Sequence, residues 1–138
     1  MQPVSSSQYS WNDISISIGG RILDGVDSIE YTAKQDKTIL RGRGGKGHKI
    51  LRGEKDFEGK IVLWQSEIEA MIKDAPNKDI LALNFEIIWA FAPLDGGAVV
   101  IDVLTSCEFK EYKKGMKQGD KNMLVELPFV FLDVKPQV

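Results

Sequence analysis

Apolar residues fall on every second position in stretch after stretch of this chain, and that period commits most of it to strands with one buried face. Ile14, Ile16 and Ile18 alternate with Ser15 and Ser17, and Gly19-Gly20 ends the run. After Arg21-Ile22-Leu23 and an Asp24-Gly25 turn signal, Ile29, Tyr31 and Ala33 alternate with Glu30, Thr32 and Lys34. Phe57, Ile61 and Leu63 share a strand face with Gly59 among them. Residues 80–92 read as a strand with Leu81, Leu83, Phe85, Ile87, Trp89 and Phe91 on one side. Val99, Ile101, Val103, Cys107 and Phe109 form the matching face of a partner. Placing both apolar faces together pairs Phe91 with Val99 and Trp89 with Ile101, which leaves a three-residue loop, Leu94-Asp95-Gly96.

One segment has helical spacing. Ile68, Met71, Ile72 and Ala75 form a stripe, Ser66 and Glu69 match a capping box, and Pro76 stops the element. The last strand, residues 122–134, differs from the others. Met123, Val125, Leu127, Phe129 and Phe131 fill one face, while Leu124, Val130, Leu132 and Val134 populate the other. A strand apolar on both faces is either central or part of a subunit interface, and Pro128 in its middle argues for an edge or a bulge, which favours the interface. The pattern predicts a mainly β (α+β) fold: an antiparallel β-sandwich or small β-barrel with one flanking α-helix. A flexible N-terminal arm, residues 1–12, precedes a single domain over 13–138.

Composition removes whole classes of function. With one Cys and one His there is neither an internal disulfide nor a partner for a histidine-based metal cage or a Ser/His/Asp triad. Cys107 sits on an apolar strand face and reads as a small buried hydrophobe. Glu54, Asp56 and Glu58 form a carboxylate ladder, but without the spacing or glycine turn of an EF-hand; Lys55 and Lys60 make it a charge-mixed surface. No enzyme, metal or cofactor is expected. The longest nearly apolar run, residues 87–94, is far shorter than the roughly 20 residues a membrane helix needs. The formal charge of -2 provides no global drive toward nucleic acid or an anionic membrane.

The least ordinary stretch is basic and glycine-rich. Residues 34–60 hold nine of the 18 Lys and Arg residues, His48 and six of the 13 glycines, with acids only toward the ends. Gly42-Arg43-Gly44-Gly45-Lys46-Gly47 matches a dinucleotide-binding string, yet no helix pattern follows it. A Walker loop fails because His48 stands where Lys would be required. No aromatic residue occurs between Thr32 and Asp56, so the stacking platforms of single-strand nucleic-acid binders are missing. The segment reads as a long basic loop at about 35–56 that an acidic protein neighbour would order. Two rivals remain: a nucleic-acid-binding module using that loop, and an enzyme or lectin-like domain with its site at 94–97 or at the 54–58 ladder. Trp11 is a candidate intersubunit contact.

Three motifs carry a family likeness: Gly20-Arg21-Ile22-Leu23-Asp24-Gly25; Gly42-Arg43 followed by Gly47-His48-Lys49, with residues 53–59 leading into strand and helix; and Leu127-Pro128-Phe129-Val130-Phe131-Leu132-Asp133-Val134-Lys135-Pro136. In order and length, over nearly the whole chain, they resemble the tail tube proteins of contractile-tailed phages and related defective prophages. The resemblance implies a structural, non-enzymatic subunit: six copies close into a ring, and rings stack into a hollow tube inside a contractile sheath, through which DNA or an effector passes without specific binding. It implies sheath and baseplate partners, no membrane, a location in the virion tail and assembly in the bacterial cytoplasm. A baseplate or tail-adaptor relative of the tube is the alternative. Under this resemblance Arg41, Arg43, Lys46, His48, Lys49 and Arg52 would lie in an inter-ring loop, and Trp11, Leu124, Val130, Leu132 and Val134 at a lateral interface.

Overall fold

The computed structural model describes residues 9–93, 98–119 and 121–137. Among the described residues, nine strands and one α-helix follow in the order β1 (Tyr9–Ile18), β2 (Arg21–Leu23), β3 (Val26–Arg41), β4 (Gly47–Trp64), α1 (Gln65–Asp74), β5 (Phe85–Pro93), β6 (Val100–Phe109), β7 (Lys113–Gly115), β8 (Leu124–Val130) and β9 (Asp133–Lys135). Hydrogen bonding runs through them as β2-β1-β5-β6-β8-β4-β3, with β7 beside β8 and β9 beside β6. Every pairing is antiparallel. The path ends on β2 and β3, which do not pair, so the mainly β fold is an open sheet rather than a closed barrel.

The sheet bends over its own core. Ile16, Ile18, Leu23, Ile87 and Leu104 from one half meet Ile61, Leu63, Val125, Leu127 and Phe129 from the other, and Ile68 and Met71 of α1 join them. Phe85 and Phe109 close one end, with ring centroids 4.7 Å apart. Burying one such aromatic ring contributes roughly 1.5–3 kcal/mol.

β6 makes the bend possible. Its first part pairs with β5 and β9, and its last two residues, Glu108 and Phe109, pair with β8. Between them the β5 register slips, from Ile87 opposite Leu104 to Phe85 opposite Cys107, and Ser106 takes a left-handed φ of 52°. This is a β-bulge, and it reverses which positions face inward. Asp102 and Leu104 point into the core before it, Cys107 and Phe109 after it. The expected register is therefore corrected by one residue: Phe91 faces Val100, and Trp89 faces Asp102. The odd-numbered apolar pattern of 99–109 conceals the slip, because it treats Asp102 as outward. The carboxylate is instead buried and satisfied, accepting from the Tyr31 hydroxyl at 2.9 Å and from the Gln137 N–H at 3.1 Å. The loop predicted at 94–96 lies outside the described residues.

Four other local expectations change. β5 begins at Phe85, not at 80, because the Asp79 side chain accepts from Leu81 N at 3.0 Å and winds Ile80–Ala82 into a 3-10 turn. The capping box of Ser66 and Glu69 does not form: the helix starts two residues earlier with Trp64 as N-cap, and Gln65 N donates to the Met123 carbonyl instead. Ala75 leaves the helix in an extended conformation, as the residue before a proline should. Pro128 is not on an edge strand, since β8 pairs with β4 along its whole length. It sits where the neighbour on the other side changes from β6, opposite 129–130, to β7, opposite 124–126. β1 starts at Tyr9, inside the stretch read as a flexible arm; residues 1–8 lie outside the described residues.

Candidate assembly surfaces

The basic segment is not a loop. β3 and β4 keep pairing from Val26 opposite Leu63 out to Arg41 opposite Gly47, so residues 35–56 form the far part of a β-hairpin. β4 carries one extra residue near Gly53 and another at His48, each a small bulge in the ladder. At the tip, Gly42 N donates to the Lys46 carbonyl at 3.1 Å and Gly45 N to the Gly42 carbonyl at 3.3 Å. Gly44 and Gly45 have φ of 86° and 78°, a conformation that glycine adopts without strain. Arg41 Nη1 reaches back to the Gly45 carbonyl at 3.0 Å.

All six residues of the expected inter-ring set are on this hairpin and exposed: Arg41 at the end of β3, Arg43 and Lys46 in the turn, and His48, Lys49 and Arg52 on β4. Residues 37–52 carry six Lys and Arg side chains and no acid. In a chain of formal charge -2 the remainder therefore carries -8. The molecule is a charge dipole with a projecting positive end.

Sequence reasoning missed the apolar content of the same hairpin. Ile39, Leu40, Ile50 and Leu51 are 51%, 46%, 57% and 44% exposed, so none is packed on the body. The signal was a repeated tripeptide, Ile39-Leu40-Arg41 and Ile50-Leu51-Arg52. The acid ladder at the hairpin base is mixed in charge. Lys34 Nζ lies 3.1 Å from Glu58 Oε1 and Lys110 Nζ 3.9 Å from Oε2. The hydrogen bond and charge of Lys34, with Lys110 behind it, hold the Glu58 carboxyl below its ordinary range. Among the described residues no group of three His, Cys, Asp or Glu side chains is placed to hold a metal.

The expected lateral set does not gather into one patch. Val130 and Leu132, 40% and 74% exposed, border a groove of about 630 Å³ beside Phe57, Glu58 and Glu108. Val134 is half-buried and borders a second groove, with Lys37 and Pro136. Leu124, also half-buried, is at the opposite end of β8, beside Lys60 and Gly115. Trp11 is exposed on β1.

No protein-family model matches the chain, and no curated protein matches it in sequence. Solved structures do match in shape. A chain of the PVC sheath-tube complex of an extracellular contractile injection system, in its extended state, superposes with a TM-score of 0.70 at 10% identity, over 95% of this chain and 92% of that one. The tube-terminating cap of the anti-feeding prophage gives 0.71 at 9% identity, over 100% and 96%. Hcp1 from Flavobacterium johnsoniae gives 0.55 at 13%, over 89% and 93%. Identities this low speak for the fold alone, and in that sense the chain has the tail-tube-related fold of contractile injection machines that its three sequence motifs led us to expect.

Proposed function

We propose that this chain is a structural, non-enzymatic subunit of a phage tail tube or of a phage-derived contractile injection machine. Copies assemble into rings, six to a ring, and the rings stack into a hollow conduit for DNA or an effector. The observation that carries the reading is the hairpin of residues 37–52. It is a projecting element with six positive side chains on a body of net -8, on a fold shared with sheath-tube and cap chains. A positive protrusion and a negative body on one molecule are complementary between copies but not within one. Such a heterologous contact repeats head to tail and grows into an open stack. Sheath and baseplate proteins are the partners this role requires, and the tail of a particle is its place.

The likeness to a cap is as close as the likeness to the sheath-tube complex, which favours one second reading: a ring that ends a tube rather than extending it. Negative-stain electron microscopy over a concentration series, with sedimentation velocity on the same samples, separates the two. Stacked tubes support the tube subunit, and single rings that never stack support the terminal ring. A chain monomeric at every concentration that shifts DNA in a salt-dependent way overturns both in favour of nucleic-acid binding.

A further inference from the structure

The exposed apolar residues of the hairpin divide between its two faces. Directly opposed residues of an antiparallel pair project to the same side. The pairs Lys37 with Arg52 and Ile39 with Ile50 therefore define one face, and Thr38 with Leu51 and Leu40 with Lys49 the other. One face presents two isoleucines between cations, and the other two leucines beside Thr38 and Lys49. Exposure is nearly the same on both, 51% and 57% against 46% and 44%, so the body covers neither. A two-stranded ribbon is marginal by itself in water, and a ribbon apolar on both sides needs cover on both.

We propose that each hairpin is clamped between two further copies of this chain, Ile39 and Ile50 against one and Leu40 and Leu51 against the other. The inference rests on the assembly reading above and deepens it by giving each copy two partners at this one element. The occupant is assigned by charge: residues 37–52 carry six positive side chains without an acid, and the rest of the chain, at -8, is the complementary surface. The hairpin is also long enough to reach onto a neighbour. From residue 35 to the end of β3 at residue 41 it extends about 20 Å at the usual rise of a strand. With apolar residues on a single face, one neighbour would suffice and the other side would read as polar; Ile39-Leu40 and Ile50-Leu51 put one apolar residue of each pair on each side.

The test places a photo-crosslinking amino acid in the full chain at position 39, at position 40, or at both, and identifies the linked peptides by mass spectrometry. The single variants are expected to link copies at two different patches, and the double variant to give covalent species of three or more copies. Ile39→Ser/Ile50→Ser and Leu40→Ser/Leu51→Ser should each weaken assembly by at least about tenfold, from the loss of two partly buried side chains, with unchanged circular dichroism. Assembly that survives one of these pairs at full strength, or crosslinks from both positions to a single patch, overturns the clamp while leaving the tube reading intact. A chain that never associates and yields no crosslink overturns both. Binding of the monomer to phosphatidylglycerol vesicles, lost equally in both serine pairs, overturns the clamp and assigns the hairpin to an anionic membrane.

Discussion

The ring of Phe129 fills the space that a side chain at Gly59 would need: a Cβ built there stands 2.5 Å from Phe129 Cζ and 2.5 Å from the Glu30 carbonyl oxygen. The two residues face each other across β4 and β8, and Phe129 is fully buried. The glycine is what allows an aromatic ring to lie across the β4 backbone. Gly59→Ala is expected to destabilise the fold by about 1–3 kcal/mol, as overpacking a filled core does. Urea unfolding measures it, and Phe129→Leu in the Gly59→Ala background should restore part of the loss. Unchanged stability in Gly59→Ala would mean that the ring does not lie across residue 59.

Tyr31 ties β3 to the opposite half of the sheet. Its hydroxyl donates to Asp102 at 2.9 Å, and its ring meets Trp89 and Phe131 edge-on, with centroids 6.0 and 5.9 Å away. Burial first, then the hydrogen bond to the carboxylate and its charge, push the phenol up from 10.0 to about 12. A raised value means that the folded state holds the proton more tightly than the unfolded one. This contribution is fully present below pH 10 and is lost as the pH rises toward 12. Spectroscopic titration should show a tyrosine step near pH 12, and Tyr31→Phe should abolish that step. The same variant leaves a buried Asp102 oxygen without its donor, at a cost of about 1–3 kcal/mol.

Much of the strand pattern was legible, because Ile14, Ile16, Ile18, Ile61, Leu63 and Phe129 follow period two without interruption and their own spacing decides which face they take. What defeated the pattern were residues whose role depends on a distant partner. Asp102 is buried only because Tyr31 and Gln137 bond it, one of them 71 positions away. The bulge at Ser106 carries no glycine to announce it. Asp79 captures Leu81 N and ends what otherwise reads as a strand. The basic residues of the candidate surface stood out by charge, but reading them as loop concealed that glycines at 42, 44 and 45 close a hairpin whose strands carry Ile39, Leu40, Ile50 and Leu51 outward.

Cys107 should behave as core. It is fully buried, its Sγ donates to the Leu104 carbonyl at 3.4 Å, and burial pushes the thiol up to about 12. The thiolate is the reactive form, so at pH 8 the native protein is expected to resist a thiol reagent and to react only as fast as it opens. Rapid labelling of the folded chain would contradict this placement. In denaturant the same thiol should react at the rate of an ordinary cysteine.

Reversing charge at the hairpin tip separates assembly from folding. Arg41→Glu, Arg43→Glu and Lys46→Glu together take residues 37–52 from six positive charges to a net of zero. The turn itself is held by backbone bonds, Gly42 N to Lys46 O and Gly45 N to Gly42 O, which these changes leave in place. The one side-chain bond removed, Arg41 to the Gly45 carbonyl, is exposed and is worth about 1 kcal/mol or less. The variant should melt within a few degrees of the parent and form no stacks, and assembly of the parent should weaken progressively as salt is raised and exposed charges are screened. Stacks of normal length from the triple variant would show that the tip's charge does not join the copies. Loss of stacking together with loss of the fold would instead make the tip a folding element, and circular dichroism on the same samples tells the two apart.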